Sequence, residues 1–280
     1  MLERRAPAKI NLGLHVVRKR LDGYHDIETV MHRIDWADRI TAEPAADLAM
    51  TCSDPDLPAD GDNLCMHAAQ RLRAAFDVEA GARLHLDKQV PYGAGLGSGS
   101  SDAAATLRLL DALWELDAPA DALHAIASAI GSDVPFFLNG PAALATGRGE
   151  QVVPLRGQHS APYAMPFSVV VVVPDVHIAT PDAYGMITPS ADERPDLLLL
   201  VRSNDLARWQ QELVNDFETP ILNAYPTVEA AKQLLADQGA GYASLSGSGS
   251  AVYGAFEDAA TAREAARAAR ALGHRVHVDP

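Results

Sequence analysis

Apolar and polar positions alternate, or run apolar, over Lys9 to Val17, Ile27 to Ile34 and Arg39 to Glu43, which predicts three strands near the N-terminus. A helical stripe of Leu64, Ala68, Leu72 and Phe76 follows within Asn63 to Phe76. Arg83 to Lys88 alternates again as a half-buried strand, and Ala103 to Trp114 carries Leu107, Leu110, Leu113 and Trp114 on one side of a helix. Another helix is predicted from Pro119 to Ile130, with proline in its first turn and Gly131 just past its end, and a short strand pair around Leu144 and Val152. The second half restarts with the β-branched run Val169 to Val173, which suits a buried strand. Helical patterns near Arg194 to Val201 and Tyr225 to Asp237 lead to strands at Tyr242 to Leu245 and Ala251 to Phe256. A helix from Asp258 to Leu272 and a strand from His274 to Val278 complete the chain. That order implies an α+β sandwich with an antiparallel sheet, and the Pro/Gly-containing stretch Arg156 to Pro166 is the expected boundary between two lobes.

Between the strand ending at Lys88 and the helix opening at Ala103 lies Pro91-Tyr92-Gly93-Ala94-Gly95-Leu96-Gly97-Ser98-Gly99-Ser100-Ser101-Asp102. Alternate glycines let a backbone approach a ligand closely with its N–H groups turned inward, and the following helix N-terminus adds partial positive charge. Such a loop holds phosphate. It lacks the Gly-Lys-Ser/Thr ending of a Walker A loop and the acidic residue about 20 positions on that suits a dinucleotide ribose. A Gly/Ser run also suits a flexible linker, but this one is flanked on both sides by elements with packing faces.

The chain has 280 residues, 48% of them apolar, and a net charge of −14. This is the composition of a globular protein, and the acidic balance argues against a nucleic-acid surface, which needs a basic footprint. Cys52 and Cys65 form no metal-spaced cluster, which favours free thiols in a reducing cytoplasm. No secretory or membrane-spanning segment is expected, since the apolar run at Val169 is far too short to cross a bilayer. An acidic protein that binds polyphosphate needs backbone N–H groups, a few lysines and a divalent cation to supply local positive charge. The histidines other than His25 show no metal spacing. Arg263, Arg267 and Arg270 read as a solvated helix face.

Three segments together resemble the motifs of the GHMP small-molecule kinases: Ala6-Pro7-Ala8-Lys9-Ile10-Asn11-Leu12 with Asp22-Gly23-Tyr24-His25, the glycine loop, and Leu245-Ser246-Gly247-Ser248-Gly249. The first block, together with Gly131-Ser132-Asp133-Val134-Pro135-Phe136-Phe137, resembles the members that phosphorylate a cytidine-diphosphate-linked methylerythritol. The resemblance implies a two-lobed fold. Residues 1–160 would form an ATP-binding lobe of mixed strands and helices with the phosphate loop, and 161–280 a substrate-side α/β sandwich with the antiparallel sheet. It implies ATP-dependent phosphorylation of the 2-hydroxyl of the methylerythritol unit, with ATP and Mg²⁺ required. Mevalonate- or homoserine-like alcohols, or a nucleotide-binding regulator without catalysis, are the alternatives, and monomer and homodimer stay open.

By the same resemblance Asp133 accepts the hydroxyl proton, while Lys9 keeps Asp133 ionised and offsets charge on the transferring phosphoryl group. Asp133 also suits a helix N-cap, and a strand lysine is ordinarily a solvated edge charge. The nucleotide side is expected to comprise Asn63, Lys88, Pro91, Gly93, Gly95, Leu96, Gly97, Ser98, Gly99, Ser100 and Ser101, with the Ser100 or Ser101 hydroxyl near Mg²⁺. Asn63 equally suits a helix cap and Lys88 a surface charge. Ser98 stands where the family commonly has glycine, so a positive φ there would be strained. On the substrate side the resemblance places Asn11, Tyr24, His25, Thr180, Tyr184, Gly247 and Ser248. Tyr24 would stack on cytosine, His25 would read its edge, Tyr184 would cover the other face, and Asn11 would bind erythritol hydroxyls.

Overall fold

In the computed structural model, which describes residues 1–190 and 192–280, β1 (Leu2–Lys19) pairs with β2 (His25–Ala45). The segments expected as separate strands at 27–34 and 39–43 are thus one strand. The polar residues between them suggest a break, but Asp38 is fully buried inside the strand. Its carboxylate accepts from the backbone N–H groups of Gln89 (2.5 Å) and Val90 (2.8 Å).

The chain forms two compact units that interleave in sequence, one of Met1–Ala8, Asp35–Tyr92 and Gly97–Gly140, the other of Lys9–Ile34, Gly93–Leu96 and Pro141–Pro280. The expected cut at 160/161 falls inside the second unit.

In the first unit, β3 (Leu48–Cys52) runs parallel to β4 (Gly81–Asp87), and β4 pairs antiparallel with Arg39–Ala45 of β2. Four helices complete it: α1 (Leu64–Ala75), α2 (Ser98–Leu113), α3 (Ala120–Ile130) and α4 (Val134–Leu138). α1 packs on α2 and α3, burying Cys65, Ala68, Ala69 and Leu72. α2 begins five residues earlier than the apolar pattern suggests. Its first residues are serines and glycine, which carry no stripe but fit a first turn.

In the second unit, β5 (Ala142–Gly147) joins Ile27–His32 of β2 to β6 (Gln151–Pro154), all antiparallel. β7 (Ser168–Val173) is the buried valine strand. The helices α5 (Thr180–Gly185), α6 (Leu197–Ser203), α7 (Leu206–Glu212), α8 (Glu218–Ala224) and α9 (Pro226–Asp237) lead to β8 (Tyr242–Leu245), β9 (Val252–Phe256), α10 (Ala259–Ala271) and β10 (Arg275–Asp279). The sheet order is β10-β7-β9-β8, antiparallel throughout. Val170 and Val172 pack in one cluster with Leu235 of α9 and with Ala262, Ala265, Ala266 and Ala269 of α10. Alanine at that spacing lets a helix lie close to a sheet, and Arg263, Arg267 and Arg270 face solvent as expected. α5, α7 and α8 are too short for periodicity to reveal them.

His32 of β2 is buried, with neither ring nitrogen hydrogen-bonded, and burial pushes its pKa down to about 4, partly opposed by Asp279. Its folded value therefore lies below the unfolded one. Between pH 6.5 and 4 the unfolded chain binds the extra proton, and stability worth about 3 kcal/mol is lost as pH falls through that window. Urea unfolding from pH 7 to 4 should show a shallower acid loss in His32→Phe than in the wild type. Parallel curves would remove His32 as a source.

Candidate active site

The first unit contributes the start of α2. Gly97 caps it in the left-handed region, at φ 66° and ψ 19°, which a side chain would strain. Ser98 is already helical, so the serine that replaces a glycine carries no strain, and its hydroxyl meets the Pro91 carbonyl at 3.4 Å. Gly99 and Ser100 complete the first turn with Ser98, whose N–H groups have no intrahelical acceptors and favour an anion, whereas Ser101 N–H already donates to the Gly97 carbonyl at 2.9 Å. Ser101 is buried and donates its hydroxyl to the Pro7 carbonyl at 2.7 Å. Of the two serines expected near a cation, that leaves Ser100 the more accessible. A Cβ built on Gly131 would lie 4.0 Å from Ser100 Oγ, so the Gly131-Ser132-Asp133 turn stands beside this helix start. Asp133 is half-buried at the N-cap of α4, but its side chain makes no capping bond.

Two residues expected on the nucleotide side have other partners. Asn63 is the N-cap of α1, accepting from Cys65 N–H at 2.9 Å and donating to the Pro58 carbonyl at 2.8 Å. Lys88 is not a surface charge. Its ammonium is enclosed between Asp38 (2.6 Å) and Asp102 (2.7 Å).

In the second unit, Lys9 is buried in β1 and donates from Nζ to Asn11 Oδ1 (2.5 Å) and to the Gly95 carbonyl (2.8 Å). Gly95, at φ +78°, packs so closely that an added Cβ would lie 2.1 Å from the Ser246 carbonyl oxygen, and Ser246 Oγ donates back to the Gly95 carbonyl at 2.9 Å. A Cβ on Gly247 would come within 3.3 Å of both Lys9 Nζ and Asn11 Oδ1. The third motif therefore closes over Lys9 and Asn11, with Ser248 half-buried beside it. Asn215 fixes this loop from below by donating to the carbonyls of Leu245 and Gly247, both at 2.9 Å. Gly93 and Leu96 flank Gly95, and the Leu96 carbonyl accepts from Lys9 N–H at 3.0 Å. Asn11, expected to meet substrate hydroxyls, accepts from the Lys9 ammonium.

A second group in this unit is aromatic. His25 stacks on Tyr184 of α5, with ring centroids 4.6 Å apart and an interplanar angle of 17°. Tyr184 meets Phe217 edge-on. The ring expected to cover a base's far face thus supports His25. Tyr24 is 56% exposed, with the Arg148 guanidinium 5.1 Å from its ring centre. Desolvation, reinforced by Lys19, lowers the His25 pKa, so at neutral pH the imidazole keeps one donor and one acceptor. Thr180 is exposed in the first turn of α5.

Arg148, Asn215 and the Asp38–Lys88–Asp102 triad escaped the sequence reading, because their roles depend on partners far along the chain.

The matching family models are GHMP kinases N terminal domain, over residues 63–141, and GHMP kinases C terminal, over 197–275. The 4-diphosphocytidyl-2-C-methyl-D-erythritol kinase of Salinibacter ruber is 59% identical over 98% of this chain and 97% of its own length. This chain belongs to the GHMP kinase family, among the 4-diphosphocytidyl-2-C-methyl-D-erythritol kinases. A crystal structure of 4-(cytidine 5'-diphospho)-2C-methyl-D-erythritol kinase superposes with a TM-score of 0.83 at 35% identity, covering 99% of this chain and 98% of that one. The homoserine kinase of Cytophaga hutchinsonii matches at TM-score 0.74 and 18% identity, covering 98% and 94%. That likeness shows the GHMP fold alone. Among the described residues of this GHMP kinase, no helix is long and apolar enough to cross a membrane.

Proposed function

We propose that this GHMP kinase transfers the γ-phosphoryl group of ATP to the 2-hydroxyl of 4-diphosphocytidyl-2-C-methyl-D-erythritol. The observation that carries this reading is the 59% identity to the Salinibacter ruber enzyme over nearly the whole chain. The two residue groups supply chemistry that suits it. The substrate hydroxyl oxygen forms the new bond to the γ-phosphorus as the bridge to the β-phosphate breaks, and Asp133 takes the hydroxyl proton. Lys9, fixed by Asn11 and Gly95, offsets charge on the moving phosphoryl group, and the N–H groups at the start of α2 hold the nucleotide phosphates. Mg²⁺, when bound, would neutralise phosphate charge. It usually keeps several waters and binds largely through substrate phosphates, so a single hydroxyl, that of Ser100, is a sufficient protein contribution. Cys52 and Cys65 are free thiols, which suits a cytoplasmic enzyme.

Incubation with ATP and a panel of alcohols tests the reading. ADP release with the cytidyl compound, and not with mevalonate or homoserine, is expected; the reverse preference overturns it. Tyr24 and His25 carry the cytidine assignment. Tyr24→Ala should raise the KM for the cytidyl substrate by the equivalent of about 1–3 kcal/mol of stacking, with the KM for ATP nearly unchanged. His25→Ala should erode discrimination between cytidine and uridine forms, because the imidazole is the group that distinguishes a 4-amino from a 4-oxo edge. A wild type that accepts both forms equally would refute the assignment.

A further inference from the structure

We infer that Thr29 is a positioning residue that sets which way the Asn11 amide faces and, through it, where the Lys9 ammonium sits. All of the groups concerned lie in the second unit and are buried: Thr29 is 0% exposed, Asn11 1% and Lys9 3%. Thr29 Oγ1 donates its one proton to the Gly13 carbonyl at 2.6 Å. The oxygen then has only lone pairs to offer its other neighbour, Asn11, which approaches at 2.9 Å. An acceptor there requires the NH₂ end of the amide. The carbonyl end, Oδ1, must therefore turn to Lys9, which donates to it at 2.5 Å. With the amide reversed, Nδ2 would face the ammonium donor to donor and Oδ1 would face the lone pairs of Thr29, and both contacts would be repulsive. The Tyr253 hydroxyl fixes the backbone at the same point by donating to the Asn11 carbonyl at 2.7 Å. Proton direction is thus passed from Gly13 through Thr29 and Asn11 to Lys9. Nothing in the local sequence marks Thr29, one of several alternating residues of β2.

The inference deepens the kinase reading and rests on it for its kinetic consequence, but not for the amide orientation. Thr29→Val keeps the side-chain shape and removes the hydroxyl, which leaves a buried amide donor unpaired and the amide held only by its contact with Lys9. The kcat should fall roughly 10- to 100-fold, with the KM for ATP within about threefold of wild type. Thr29→Ser, which retains the hydroxyl, should recover kcat to within about threefold of wild type. In ligand-free protein labelled with ¹⁵N-asparagine, the Asn11 side-chain amide protons should be exchange-protected in the wild type and Thr29→Ser, and shifted and unprotected in Thr29→Val. Should Val not fold, Thr29→Ala also removes the hydroxyl with less bulk. Unchanged Asn11 amide signals in the hydroxyl-free variant would overturn the inference whatever the activity, and so would failure of serine to restore them. An inactive wild type with the predicted amide behaviour would overturn the kinase reading and leave the Thr29 inference standing.

Discussion

Asp133→Asn should leave ATP binding and folding nearly intact and lower kcat by about 10²–10⁴-fold, the usual contribution of a positioned general base. The amide has the same shape as the carboxylate but cannot take the hydroxyl proton. Asp133 stands at the N-cap of α4 without a side-chain capping bond, so the cost of losing a cap, about 1 kcal/mol, does not arise. Steady-state rates with the cytidyl substrate, together with nucleotide affinity by calorimetry, separate the two effects. Turnover within a few-fold of wild type would exclude Asp133 as the base, and loss of ATP affinity in parallel with kcat would make its role structural.

The backbone of the glycine loop was legible from its residue type. Gly93, Gly95 and Gly97 all have positive φ, and Gly95 additionally tolerates no Cβ against Ser246. Gly99, by contrast, lies within the helix, where alternation of glycine carries no structural meaning. The aromatic group was half legible. The Tyr24-His25 pair could be read from its motif, but the partner of Tyr184 could not, because α5 is short and the stack joins residues 159 positions apart. The partners of the buried polar residues lay outside the sequence pattern. Lysine and aspartate in alternating segments look solvent-facing, and only the fold reveals that Lys9, Asp38 and Lys88 are enclosed with partners. The same physics hides Thr29: a strand threonine gains a role from the neighbouring strand it reaches, and composition records no such pairing.

Lys88→Met should destabilise the protein by about 3–5 kcal/mol at neutral pH, the usual cost of removing one partner from a buried ion pair. Its side chain is 3% exposed and lies between Asp38 at 0% and Asp102 at 4%. Asp38 would keep its two backbone donors, but Asp102, whose Oδ1 already has no partner, would lose its remaining bond at Oδ2. Burial pushes the Asp102 carboxyl up to about 7 against the pull of Lys88, while the two carboxylates outweigh desolvation and hold Lys88 in its charged form. Without the ammonium, Asp102 rises further and sheds its charge by taking a proton. In the wild type the folded value lies above the unfolded 3.8, so stability falls as pH rises from about 4 to 7; in the variant, whose folded value is higher still, the fall continues above 7. The loss caused by Lys88→Met should therefore be smaller at pH 5.5 than at pH 7.5, and Asp102→Asn should recover part of it. Urea unfolding of the single and double variants at both pH values measures this without substrate present. The triad also ties the segment entering the glycine loop to α2, so an increased KM for ATP should accompany the loss. A deficit that is the same at both pH values and is not relieved by Asp102→Asn would show that Lys88 contributes by packing rather than by charge.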